Sequence, residues 1–275
     1  IINEILFNPY SGGSDFIEIK NNTGDLINIG ELYLANRRDD NTIGDPEKIA
    51  DFPLTILPNQ LIVLTEDKQN INENYNVVFE NWLYETDLPS YADDEGNVIL
   101  IHKEGTILEE IAYKDDWHHP MLDNDDGVSL ERIEANARGN DANNWQSASS
   151  SFGFATPTGT NSQKRELFEI QEGIWTFPEI FSPDQDGFED ILFLNYSFDK
   201  SGFVISARVY DLEGNLVKRW LTNELCGLSG SYKWDGTGEN NQSLPMGVYL
   251  IFAEAVHPDG DVESFKESAT LARKY

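Results

Sequence analysis

The chain is short of sulfur, of basic residues and of long apolar runs, and each shortage excludes something. Its 275 residues include one cysteine, Cys226, so no internal disulfide can form. Only 19 Lys and Arg stand against 49 Asp and Glu, a formal net charge of −30. Binding to nucleic acid draws its affinity from clustered cations that displace counterions. Here Lys164-Arg165 and Lys218-Arg219 are isolated pairs. Nucleic acid is therefore excluded as the expected ligand, and so is an anionic membrane surface. No stretch approaches the roughly 20 apolar residues that span a bilayer, so the chain is expected not to be transmembrane. Long segments of period 3.6 are missing, apart from one or two helical turns expected between Asp67 and Asn76.

What is present is apolar and aromatic enough to fold. The hydrophobic fraction is 39%, and six Trp, eleven Tyr and fifteen Phe can fill one or two cores. The secondary-structure signal is almost wholly β. Phe16 to Lys20 alternates with period two and meets a turn at Asn21 to Asp25. Leu61 to Leu64, Val98 to Ile101, Val204 to Asp211 and Gly247 to Ala253 read as further strands, each beside a turn signal. Asp93 to Asn97, Lys103 to Thr106 and Glu213 to Asn215 read as hairpin turns. Short strands with turns every ten or so residues predict sandwiches or barrels rather than a parallel α/β sheet. The expected class is all-β, with two β-sandwich domains in tandem: 1–162, a linker at 163–176, and 177–275. Residues 1–162 carry 30 acids against 9 bases and residues 163–275 carry 19 against 10, so most of the acidity lies in the first half. The chain opens on Ile1 and reads as part of a longer protein.

The first half resembles the lamin tail domain in the form found in bacterial extracellular proteins. The resemblance is carried by Ile2 to Pro9, by Asp15-Phe16-Ile17-Glu18-Ile19-Lys20-Asn21, and by Gly127 to Ile133. Asn144-Trp145 and the closing Ala155-Thr156-Pro157-Thr158-Gly159-Thr160-Asn161-Ser162 complete it, with Thr158 inserted before the glycine of the usual T-P-G. The second half resembles the immunoglobulin-like domains of flagellar hook-cap proteins and of gliding and secretion-associated proteins. Its carriers are Phe181 to Asp190, Val209-Tyr210-Asp211 with Gly214, Trp234-Asp235-Gly236, and Leu244 to Tyr249. These resemblances imply two immunoglobulin-like sandwiches at the envelope or exterior of a bacterium. They imply a binding or adhesion module followed by a structural, anchoring or secretion module.

Several sites follow from residue chemistry. Asp184, Asp186 and Asp190, with Gly187 between them, can wrap a hard cation, and Ca2+ is the expected one. Asp123 to Gly127, with Asp115 and Asp116, is a second acidic loop of that kind. Trp117, His118 and His119 form an aromatic loop expected either to plug one end of the first sandwich or to face a ligand. With only four histidines in all, a structural zinc site is not expected there. Ser129 lies outside any Gly-x-Ser-x-Gly pattern and reads as a strand residue, and Cys226 reads as a buried thiol. No catalytic pair stands out, so the chain is expected not to be an enzyme. Its expected partner is a protein or glycan at the cell surface. Two other readings stand beside this one. The chain can be the accessory region of a larger secreted nuclease, phosphatase or esterase. It can also be a carbohydrate-binding module that stacks sugars on Trp82, Tyr84, Tyr91 and Trp117.

Overall fold

The computed structural model describes residues 1–120, 122, 124–163, 172–184 and 189–273. Contacts divide the chain into two compact units, Ile1–Lys164 and Arg165–Tyr275. Both are built from β-sheets packed face to face, so the all-β class and the tandem immunoglobulin-like sandwiches hold.

The first unit contains β1 (Ile2–Leu6), β2 (Phe16–Lys20), β3 (Ile27–Asn28), β4 (Leu32–Ala35), β5 (Glu47–Lys48), β6 (Thr55–Ile56) and β7 (Leu61–Thr65). After α1 (Lys68–Asn74) come β8 (Leu83–Glu85), β9 (Glu95–His102), β10 (Ile107–Lys114), β11 (Leu130–Arg132) and β12 (Trp145–Ser147). One sheet has the order β12-β11-β1-β2-β7-β8, and the facing sheet has the order β10-β9-β4-β5. Alternation puts Ile5, Ile17, Ile19, Ile62 and Leu64 on the inner face of the larger sheet, against Leu34, Val98, Leu100 and Ile111 of the smaller. The outer face of the larger sheet is also covered. Leu6, Phe16 and Val63 pack there with Ile71 of α1, Tyr75 and Ala155. Burial on both faces of one sheet is the feature that sets up the site described below.

The helix lies where the sequence placed it, with Asp67 capping its first turn through the Asn70 amide. One expectation is corrected. Glu95, Gly96 and Asn97 are not a turn but the first residues of β9, paired with Lys114, Tyr113 and Ala112. Gly96 permits this because a Cβ there would stand 2.4 Å from the Tyr113 hydroxyl.

The second unit contains β13 (Gly173–Phe177), β14 (Ile180–Phe181), β15 (Leu192–Ser197), β16 (Val204–Tyr210), β17 (Leu216–Leu225), β18 (Ser229–Trp234), β19 (Gly247–Val256) and β20 (Val262–Leu271). Its sheets run β13-β15-β18 and β14-β20-β19-β16-β17. Trp234 and Tyr249 meet edge to face at 5.8 Å within one apolar core. The turn glycines Gly214 and Gly236 adopt φ of 84° and 75°, the left-handed region that glycine enters without strain.

Candidate functional site

The most unusual chemistry in the described residues is a row of three glutamates on the outer face of the larger sheet of the first unit. Glu131 on β11, Glu4 on β1 and Glu18 on β2 are register partners, Glu4 opposite both of the others. All three are fully buried. A bulge at Asn3 turns two consecutive side chains, Asn3 and Glu4, toward the same cover. That cover is the closing segment 155–163, which lies across the row as a strap.

The strap supplies nearly all the donors. The Thr156 amide donates to Glu4 Oε1 at 2.8 Å, the Thr158 amide to Glu18 Oε2 at 2.7 Å, and the Gln163 amide to Glu131 Oε2 at 3.0 Å. The Ser162 hydroxyl adds a bond to Glu131 Oε2 at 2.8 Å, and Ser129 adds one to Glu4 Oε1 at 2.5 Å. Asn3 bridges Glu18 and Asn161, and Asn161 returns bonds to the carbonyls of Asn3 and Arg132. No cation among the described residues takes part. Arg132 turns instead to Glu109, at 2.7 Å, and to the Ile2 carbonyl. Desolvation is therefore the first cause acting on each acid, and it pushes all three above the ordinary carboxylate range, Glu4 up to about 8. Carboxylate repulsion adds to this at Glu4, from Glu131, and at Glu18, from Glu4.

The sequence-derived candidates lie elsewhere. Trp117 is partly buried against the inner core of the first sandwich. His118 and His119 are buried beside it, 7% and 3% exposed, so neither imidazole meets solvent. His118 Nδ1 and the His119 amide both meet the Ser147 hydroxyl at 2.9 Å. The other nitrogen of His118, Nε2, has no partner among the described residues. Burial lowers its pKa to about 4, so the ring is neutral. Nearby, Phe7 stacks on Tyr113 with ring centroids 4.4 Å apart. Asp15 is held up near 7, chiefly by burial and then by Asp93 and Glu66.

Asp184 and Asp190 flank a loop closed by a bond from the Ser182 amide to the Glu189 carbonyl at 2.7 Å. Asp186 and Gly187 lie outside the described residues, as does Asp123. Among the described residues no group of three acids, histidines or cysteines is arranged to hold a metal. Ser129 stands just before β11 and serves Glu4. Cys226 is fully buried, and burial pushes its thiol far above the usual range.

One surface depression, about 760 Å³, opens between the sheets of the first unit, with Ile19, Ile56 and Leu100 as its floor. Leu26 and Leu108 stand exposed at its mouth, 64% and 52%. Its polar rim is already engaged. Glu31 pairs with Lys103 at 3.0 Å, Glu109 pairs with Arg132, and Asn21 bonds to Thr23, Asp25 and Ile56. What the depression offers is apolar contact.

The glutamate row was missed in the sequence, although its signal is there. A Glu directly before isoleucine recurs in Asn3-Glu4-Ile5 and Ile17-Glu18-Ile19, and Glu131 sits in Leu130-Glu131-Arg132. Alternation alone sends such residues to solvent.

No family model matches the chain, and no curated protein matches it. Among solved structures, dimeric latent PorU of Porphyromonas gingivalis aligns over 100% of this chain and 20% of its own, at 13% identity and a TM-score of 0.28. PorZ of the same organism, described as a surface component of the type-IX secretion system, aligns over 99% of this chain and 39% of its own. Its identity is 13% and its TM-score 0.27. The chain thus spans between a fifth and two fifths of these proteins, at a level of similarity that carries no functional meaning. No helix among the described residues is long and apolar enough to cross a membrane.

Proposed function

We propose that this chain is a non-catalytic binding and structural segment of a bacterial cell-surface or secreted protein. The first unit is the binding module and the second the structural or anchoring module. One observation carries the non-catalytic reading. The buried acids of the row, Glu4, Glu18 and Glu131, all raised above their ordinary range, are sealed under the strap and spent on its amides and hydroxyls, where no substrate reaches them. The resemblance of the first half to bacterial lamin tail domains supports the assignment of the units and the surface setting. The surface that favours a partner is the apolar depression with Leu26 and Leu108 at its mouth, and a protein that inserts aliphatic side chains suits it better than a glycan.

The test pairs binding with turnover. Purified chain is screened against envelope proteins and a glycan array, and against phosphodiester, phosphomonoester and carboxyl-ester substrates. The expected result is a protein partner whose binding falls at least tenfold in Leu26→Asp and Leu108→Asp, with no turnover. Glycan binding lost in Trp117→Ala would instead make this a carbohydrate-binding module. Turnover above the blank would make it an enzyme and sink the proposal.

A further inference from the structure

At the centre of the glutamate row one hydroxyl stands between two carboxyl groups. The Thr156 hydroxyl lies 2.6 Å from Glu131 Oε1 and 3.2 Å from Glu4 Oε2. It has one proton and so can donate to only one of them. The contacts of the other carboxylate oxygens in the row are all with N–H groups or with separate hydroxyls. Glu4 Oε1 has Ser129 and the Thr156 amide, and Glu131 Oε2 has Ser162 and the Gln163 amide. Glu18 has Asn3 on one oxygen and the Thr158 amide on the other. If every acid were ionised, two acceptor oxygens would face each other across Thr156 with a single hydrogen between three oxygens. One added proton on Glu4 Oε2 removes the conflict. Glu4 then donates to Thr156 Oγ, and Thr156 donates along the shorter contact to Glu131.

We propose that Glu4 is a protonated acid at neutral pH, joined through the Thr156 hydroxyl to ionised Glu131, and that this shared proton clasps the strap 155–163 onto the sheet. Loss of the proton to solvent leaves two like charges bridged by one hydroxyl, with no cation among the described residues to offset them, and the strap loosens. Few groups face the row from the elements packed against it. β1 contributes Glu4 and Asn3, β2 Glu18, and β11 Glu131. The segment after α1 contributes Tyr75, whose hydroxyl is spent on the Gly127 carbonyl at 3.1 Å. The strap contributes only hydroxyls, amides and backbone groups. Arg132 lies on the face turned to Glu109.

The sign of the effect is opposite to the usual carboxylate case. Burial raises the folded-state pKa of Glu4 to about 8, so the folded state holds the proton longer than the unfolded chain does. The stabilisation is whole only below the unfolded-state value of an ordinary glutamate, about 4.3, falls steadily above it, and is gone once pH has risen through the folded-state value. Release frees chain that the folded unit otherwise holds, and it uncovers the row.

The experiment is amide hydrogen exchange from pH 6 to 9, corrected for the intrinsic pH dependence, at Thr156, Thr158 and Gln163. Protection is expected to fall about tenfold for each pH unit until Glu4 titrates in the folded state, and to level off above that. Amides of β19 and β20 serve as the internal reference. In Glu4→Gln, Oε1 keeps the Ser129 and Thr156 donors while Nε2 donates to Thr156 Oγ, so the variant mimics the protonated acid. Its strap protection is expected to stay flat across the window. Thr156→Val removes the bridge and should lower protection at every pH. Asp15, an acid away from the row that is raised to about 7, is replaced by Asn as a control that leaves the profile unchanged. Should Glu4→Gln not fold, the parent protein decides the matter by infrared spectroscopy. A protonated carboxylic C=O band must be present at pH 7 and disappear together with strap protection. Flat protection in the parent, an unchanged slope in Glu4→Gln, or no such band at pH 7 would each overturn the clasp.

Discussion

The two units solve the same folding problem with opposite chemistry. Both bury apolar faces of antiparallel sheets, but among the described residues the first unit also buries Glu4, Glu18, Glu131, Arg132, His118, His119 and many hydroxyl and amide side chains. In the second unit the described buried polar residue is Ser197, and its core is a continuous set of aromatic and aliphatic side chains around Trp234. Apolar burial is non-directional and largely indifferent to pH. A buried polar network fixes geometry sharply, but every member must stay satisfied, and its stability follows the protons it holds. The comparison teaches that the first unit is specified by a hydrogen-bonded strap and the second by packing volume.

The comparison can be broken most directly by a cavity. Trp234→Ala should destabilise the second unit by about 3–5 kcal/mol and leave the first unchanged. Peptide-resolved hydrogen exchange in a denaturant series would show whether the loss stays in one unit. Next in size is pH. Between pH 6 and 9 the first unit should lose on the order of a few kcal/mol, because Glu4 holds a proton that the unfolded chain has released. The second unit should stay level over the same range. A parallel decline in both units would mean that general charge repulsion, not the row, sets the pH response.

A calcium titration sharpens the contrast from the other side. If Asp184, Asp186 and Asp190 bind Ca2+, about 1 mM of the ion should raise the melting temperature of the second unit alone. The gain would be about 1–3 kcal/mol for dissociation constants ten- to a hundredfold lower. Loss of that rise in Asp186→Ala would locate the site, and no rise in the parent would reduce the loop to a turn. The smallest effect expected is at the helix. Asp67→Ala removes the bond to the Asn70 amide and should cost about 1 kcal/mol, confined to α1 and the outer face of its sheet.

Much of the fold was legible from local pattern. The alternation in Phe16 to Lys20 places Ile17 and Ile19 inward, and both are there. The hairpin turn at Glu213 to Asn215 followed from turn chemistry, and Gly214 there has φ of 84°. Gly96 was misread because its value is steric rather than conformational, and only the ring of Tyr113 reveals that. The histidines of the Trp117 loop were legible as unusual, but their burial depends on Ser147 and on the core beneath them.

The glutamate row marks the boundary between the two kinds of information. The sequence by itself determined that Glu4, Glu18 and Glu131 alternate with inward-facing apolar residues and so share the opposite face of their strands. From alternation alone that face belongs to water. Only the tertiary structure decided otherwise. Thr156 and Thr158 reach Glu4 and Glu18 across 152 and 140 residues of chain and exchange solvent for fixed amides and hydroxyls. Strand periodicity is a property of neighbours, whereas a carboxyl group's charge depends on everything that surrounds it, and here what surrounds it arrives from the far end of the unit.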